Sequence, residues 1–150
     1  MPPHNASSWK ELILRLGAGT EICPPGDESR YDRVEKSLEV GLPMALREFL
    51  TESDGLKDEY GFGVIWSVDE IERRNREFRT IESFRELYMP FDNMLFFGED
   101  GGGDLFAFAI HADGRIHKDD IFRWEHESDG RSWFAARLEQ FIERRLTDEE

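Results

Sequence analysis

The segment from Met94 to Ile110, MLFFGEDGGGDLFAFAI, constrains the fold more than any other part of the chain. Two short apolar stretches flank an acidic, glycine-rich centre, which is typical of two strands joined by a turn. We therefore predict strands at 94–98 and 104–110. The glycines would supply positive φ angles or let another segment approach the backbone closely. Because acids flank them, a second hypothesis is that the turn is an anionic docking surface.

Further strand patterns lie on both sides of this segment. The sequence YGFGVIW predicts a strand from Tyr60 to Trp66, and two more strands are predicted at 115–118 and 121–125. Asp113-Gly114 is a strong signal for a tight hairpin turn. These patterns predict a mostly antiparallel sheet whose C-terminal strands form a meander.

Helices are predicted where a capping signal precedes apolar residues at helical spacing. Capping boxes begin at Ser8 and Ser67, and Pro43 fits the first position of another helix. Gly55 would end that helix in a left-handed conformation. Two more helices are predicted, from about Tyr31 to Leu38 and from about Arg131 onward.

The order of these elements predicts an α+β fold in which helices flank the antiparallel sheet. Residues 79–93 permit a short helix without requiring one. With 150 residues the chain suits a single domain over residues 1–150, with a core at about 8–146.

The charge balance limits the kinds of partner. Acids number 33 against 19 Lys plus Arg, a formal net charge of −14. Nucleic acids and anionic membranes would be repelled, whereas a basic protein would be attracted. The alternative is that the charge serves only solubility. The densest run of cations, at 73–79, alternates with glutamates and is typical of a solvated helix face.

The cysteine content and the N-terminus bear on the compartment. Cys23 is the only cysteine, so an internal disulfide is impossible and a reducing compartment is expected. The first residues, MPPHNASSWKEL, show neither the basic nor the apolar region of a signal peptide. We therefore expect a soluble cytoplasmic protein.

Catalytic and cofactor sites are poorly supported by the motifs. The three glycines lack the Lys-Ser/Thr that follows a phosphate loop, and they lead into a strand. Asp100 and Asp104 do not follow the calcium-loop spacing. His111 and His117 could come close across a hairpin, but no zinc-site spacing accompanies them. No nucleophile motif is present, so we predict no catalytic residues, no metal, no cofactor and no enzyme activity.

Two motifs, in the same order, resemble the SUKH superfamily of Smi/Knr-type domains. LPMALREFLTESDG is similar to a Leu-Pro-x-x-(Leu/Tyr)-(Arg/Lys)-x-Phe-Leu-x-x-x-(Asn/Asp)-Gly segment, and LFFGEDGGGDLFAFAI to a Phe-Gly-x-(Asp/Asn)-Gly-Gly-Gly-Asp signature. The likeness extends from about Ser8 to Leu146. It implies an α+β fold without established catalysis. This chain departs from the pattern with Glu99 before Asp100 and with Ser53-Asp54-Gly55 where Asn-Gly is common.

The resemblance implies an immunity-type protein that binds and neutralises a cognate polymorphic or contact-dependent toxin, such as a nuclease. We expect a basic toxin as partner and a monomeric chain. The alternative is a regulatory or scaffolding interaction domain with no toxin. The predicted partner-binding residues are Glu99, Asp100, Gly101, Gly102, Gly103, Asp104, Asp119, Asp120, Glu125 and Glu127, with Trp66 and Trp124 as aromatic anchors if exposed.

Asp104 has a second predicted role. Its carboxylate could cap backbone N–H groups of the glycine turn, in which case it would serve stability rather than affinity.

Overall fold

A computed structural model describes residues 9–17 and 19–147. Its helices are α1 Trp9–Leu16, α2 Glu28–Leu38, α3 Met44–Glu52, α4 Val68–Thr80, α5 Glu82–Leu87 and α6 Leu138–Leu146. Its strands are β1 Glu21–Ile22, β2 Leu56–Lys57, β3 Gly63–Ile65, β4 Met94–Glu99, β5 Leu105–Ala109, β6 Ile121–Glu125 and β7 Gly130–Ala135. The predicted α+β class with antiparallel pairing is confirmed. The predicted capping box at Ser8 lies outside the described residues.

The strands form two antiparallel sheets. The smaller has the order β1-β2-β3, and the larger is the meander β4-β5-β6-β7. The two sheets meet where the Trp66 N–H donates to the Phe97 carbonyl at 2.8 Å. Gly98 permits this approach, because a Cβ atom there would lie 2.1 Å from the Val64 carbonyl oxygen. A glycine inside an apolar strand is therefore required by the neighbouring backbone.

Helix α4 packs against β4 through a buried amide. Its predicted cap is confirmed, since the Ser67 hydroxyl accepts from the Glu70 N–H at 3.2 Å. About two turns further on, Asn75 accepts from the Phe96 N–H and donates to the Phe96 carbonyl, both at 2.8 Å. Asn75 is only 1% exposed, so water cannot reach its amide, and these bonds provide the hydrogen-bond partners that the buried amide needs.

Three helix ends differ from the prediction. Helix α2 begins earlier, at Glu28, because the Asp27 carboxylate accepts from the Ser29 N–H at 3.0 Å and caps it. Pro43 is the residue before α3 rather than its first residue. Helix α3 ends at Glu52 and is followed by an extended Ser53, and Gly55, with a φ of +118°, lies two residues beyond Ser53, so the predicted helix stop at Gly55 is wrong.

The strand predicted at 121–125 is confirmed as β6, but the meander lacks one predicted strand and contains one that was not predicted. Residues 115–118 form no strand, although the turn at Gly114 is present. Residues 130–135 form β7, where we predicted the start of a helix. The reason is Asp129, whose φ of +61° reverses the chain. Its carboxylate, bonded to Trp124 Nε1 at 2.7 Å and to the Met89 N–H at 2.9 Å, holds that turn.

The strand predicted at 60–66 is shorter, covering Gly63–Ile65. The Asp58 carboxylate accepts from the N–H groups of Tyr60 and Phe62 at 2.9 and 3.0 Å and folds these residues into a turn. Of the described helices, none has the length and apolarity required to cross a bilayer.

Candidate functional site

Three turns lie side by side at one end of the sheets, and we call residues 58–62, 100–104 and 126–129 the three-turn pole. They join β2 to β3, β4 to β5 and β6 to β7. A Cβ atom on Gly101 would lie 2.7 Å from the Phe62 ring, and one on Gly103 would lie 2.7 Å from the His126 ring. The central turn therefore touches both neighbours, and its glycines leave room for them.

The central turn is organised by Asp100. One carboxylate oxygen accepts from the Gly102 N–H at 2.8 Å and from the Asp104 N–H at 3.1 Å. Gly101 and Gly103 adopt φ angles of +87° and +108°, which favour glycine. The capping role that we predicted for Asp104 thus belongs to Asp100.

Asp104 instead fastens the central turn to β6 and to the turn after it. Its carboxylate accepts from the His126 N–H at 3.1 Å and contacts His126 Nδ1 at 2.7 Å. Arg123 donates to Asp104 at 3.2 Å and to Asp100 at 2.7 Å. Both carboxylates therefore neutralise a cation within the chain, and their negative charge is only partly available to a partner.

This network shifts two pKa values. Partial burial opposes ionisation of Asp104, but the bonds from His126 and Arg123 outweigh it, so the pKa of Asp104 is lowered. The bond to Asp104 raises the pKa of His126. The shifts have opposite directions because each group stabilises the charge of the other.

The two tryptophans predicted as anchors are buried. Trp66 is 1% exposed and Trp124 is 2% exposed. Trp66 Nε1 donates to Glu99 at 3.1 Å, and the Trp124 ring packs edge-on against Phe78 and other aromatic rings of the core. The anchor prediction is therefore wrong for both, because indole surface buried in the core cannot reach a partner. Glu99 is also engaged internally by this bond.

The remaining predicted acids do not form one face. Glu127 is exposed in the three-turn pole, and Glu125 is exposed at the end of β6 next to it. Asp119 and Asp120 lie at the opposite end of β6, and Asp120 accepts from Trp133 Nε1 at 2.8 Å. The register explains the separation, since Leu105 pairs with Trp124 at the near end and Phe108 with Ile121 at the far end. A single surface that includes Asp119 and Asp120 is a wrong expectation.

The pole exposes two aromatic residues that the sequence reasoning missed. Tyr60 is 77% exposed and Phe62 is 42% exposed. The Asp58 carboxylate, which accepts from the N–H groups of Tyr60 and Phe62, also accepts from Arg145 at 3.1 Å. Arg145 donates in addition to the Glu99 carbonyl. The turn is thus anchored to α6 and to β4. The sequence does contain a signal for this turn, Asp58 followed by Gly61, and this pattern indicates that Tyr60 and Phe62 lie in a turn rather than in the strand.

The histidine pair of the β5–β6 connection comes close, as expected. The rings of His111 and His117 are 4.9 Å apart. Among the described residues, no group of three His, Cys, Asp or Glu side chains is arranged to hold a metal ion.

Comparison with protein families gives one match. A family model described as SMI1-KNR4 cell-wall (SUKH_6) matches residues 28–142, which is more than half of the chain. The matched range includes all three turns of the pole. A search of curated proteins found no match.

Proposed function

The chain belongs to the SMI1-KNR4 cell-wall family of SUKH domains, and on that premise we propose that it binds and neutralises a cognate toxin. SUKH domains are generally associated with toxin immunity, and they generally act by binding rather than catalysis. The bound form would be a stoichiometric complex of this chain with a basic toxin.

The observation that carries the proposal is the composition of the three-turn pole. Two aromatic side chains, Tyr60 and Phe62, stand exposed on a turn that Asp58 and Arg145 hold rigid. Tyrosine is common among residues that dominate binding energy, and a rigid turn loses little entropy on binding. Exposed Glu59 and Glu127 lie on the outer turns of the pole. A partner with an apolar pocket and basic surroundings would fit this surface.

The overall charge supports the same partner chemistry. A toxin that is a nuclease must present cationic surface to hold phosphates. A chain of net charge −14 would be drawn to that surface and would occupy it in place of the nucleic acid. Nuclease–immunity pairs reach dissociation constants of about 10⁻¹³ M or lower, which shows that this chemistry can deliver tight inhibition.

Co-expression tests the proposal. The polypeptide encoded beside this chain's gene is expressed in a bacterial host with and without the chain, and survival is counted. We expect the neighbour to be lethal alone and harmless in the chain's presence. A lethal neighbour that the chain does not neutralise would contradict the proposal. A harmless neighbour would favour the alternative, a scaffolding domain without a toxin.

Matched charge reversals locate the contact surface in the same assay. Glu127→Lys changes an exposed acid at the pole, and Asp119→Lys makes the same change at the far end of β6. We expect Glu127→Lys to weaken protection and Asp119→Lys to preserve it. Equal effects would show that the toxin responds to net charge rather than to the pole.

A further inference from the structure

The connection from β5 to β6, residues 110–120, lies at the end of the sheet opposite the three-turn pole. The five residues of β5, at about 3.4 Å each, separate the two ends by about 17 Å. Within the connection the His111 N–H donates to the Arg115 carbonyl at 2.8 Å. The Asp113 carboxylate accepts from the Arg115 N–H at 3.0 Å and contacts the His117 ring at 2.6 Å. These bonds give the loop a defined shape.

An open trough separates this loop from the corner between α2 and α3. One part, of about 690 Å³, is lined by residues 42–44 of the corner and by residues 115–116 of the loop. A second part, of about 640 Å³, continues from the first, since both are lined by Glu35, Gly41 and Arg115. The space is long and open, which suits an extended peptide better than a compact ligand.

The trough combines an exposed apolar side chain with an excess of carboxylates. Met44 is 76% exposed, whereas Leu42 and Leu46 beside it are buried. The Met44 side chain is therefore not part of the hydrophobic core. Six carboxylates and three cations line the two parts: Glu28, Asp32, Glu35, Glu39, Glu48 and Asp113, with Lys36, Arg47 and Arg115.

One cation of the trough is already neutralised. Arg47 contacts Asp32 at 2.8 Å and Glu35 at 3.2 Å. A cationic ligand therefore meets a lining whose excess charge is negative, and an acidic ligand is disfavoured.

We propose that the trough binds an extended segment of a partner protein in which basic residues alternate with apolar ones. An apolar side chain of the segment covers Met44, and its basic side chains pair with the lining carboxylates. The trough and the three-turn pole lie at opposite ends of the sheet, so one chain can hold a partner at each. The proposal is independent of whether the partner at the pole is a toxin.

A defined peptide tests this inference. The probe is the acetylated, amidated peptide Gly-Lys-Leu-Arg-Leu-Lys-Gly, titrated into the ¹⁵N-labelled chain at about 150 mM salt, which screens unspecific attraction. A second peptide carries Glu in place of each Lys and Arg. We expect saturable shifts of the amide signals of Gly41, Met44, Gly114 and Arg115 with the basic peptide, and none with the acidic one.

Two matched variants identify the apolar contact. Met44→Gln and Leu14→Gln replace side chains that are 76% and 71% exposed, the second on α1 outside the trough. We expect Met44→Gln to raise the peptide's dissociation constant about tenfold, and Leu14→Gln to leave it unchanged. The amide spectrum shows whether each variant is folded. Absence of binding, shifts centred on Gly101–Gly103, or equal constants for the two variants would overturn the inference.

Discussion

At the scale of the residue, a glycine of the central turn and a glycine of the β5–β6 connection are needed for different reasons. Gly103 and Gly114 both have positive φ angles, of +108° and +81°. A Cβ atom added to Gly103 would meet the His126 ring, whereas one added to Gly114 would meet no atom within 4 Å. A side chain would thus strain the backbone at both positions, but it would clash with a neighbouring residue only at Gly103.

Substituting each by alanine separates these effects. We expect Gly114→Ala to lower the free energy of unfolding by about 1 kcal/mol, from strain alone. Gly103→Ala should cost more than this, because the His126 ring must move and its bond to Asp104 is lost. Urea denaturation measures both. Equal losses of unfolding free energy in the two variants would mean that the close approach of His126 to Gly103 does not contribute to stability.

The pair of Asp104 and His126 makes stability depend on pH. The folded pKa of His126 is raised, so its contribution is full below its unfolded value of about 6.5 and is lost as the pH rises through the folded value. The folded pKa of Asp104 is lowered, so its contribution is present above about 3.9 and is lost as the pH falls through the folded value.

We therefore expect the stability difference between the natural chain and His126→Gln to be largest between about pH 4 and about pH 6.5. It should shrink as the pH rises further. Urea midpoints measured across this range give the result, with His111→Gln as the control. A difference that grows toward alkaline pH would have the wrong sign for this ion pair.

At the scale of the element, the Asn75 amide helps to hold α4 against β4. Asn75→Ala leaves the Phe96 N–H and carbonyl without these partners in the buried interface, so we expect a loss of about 2–5 kcal/mol. Ser67→Ala, in the same helix, removes only the cap and should cost about 1 kcal/mol. Chemical denaturation compares the two. A larger loss for Ser67→Ala would contradict the account.

The elements also show what a sequence can and cannot predict. The α4 cap and the two strands around the glycine turn could be predicted, because each rests on neighbouring residues. Strand β7 could not, because Phe134, Leu138 and Phe141 share helical spacing although Phe134 lies in the strand. What decides the outcome is the turn at Asp129, which depends on a bond to Trp124 and on a second bond to Met89, 40 residues earlier in the chain.

The candidate site, too, could be predicted from the sequence only where it depends on neighbouring residues. The sequence located the glycine turn, since its composition is local. It did not show that Asp100 and Asp104 would be paired with Arg123 and His126, because those contacts join residues about 20 positions apart. The expectation that tryptophans anchor a partner failed because a chain with 12 Phe and 4 Trp needs most of its aromatic residues for the core.

At the scale of the whole molecule, a net charge of −14 would attract the basic toxin proposed as partner. We expect the association rate constant with the neighbour-encoded polypeptide to fall by about tenfold or more between about 20 mM and about 200 mM salt, while dissociation changes less. Stopped-flow fluorescence supplies both rates. An association rate constant that does not depend on salt would show that charge does not steer the encounter, which would contradict this prediction.

The central claim is that exposed aromatic residues of the three-turn pole form the centre of the partner interface. Its most direct test is the dissociation constant of the neighbour-encoded polypeptide, by calorimetry, for Tyr60→Ala and Leu14→Ala. Their side chains are 77% and 71% exposed, so both changes spare the core. The account predicts about tenfold or greater weakening for Tyr60→Ala and no change for Leu14→Ala. Unchanged affinity for Tyr60→Ala would contradict it.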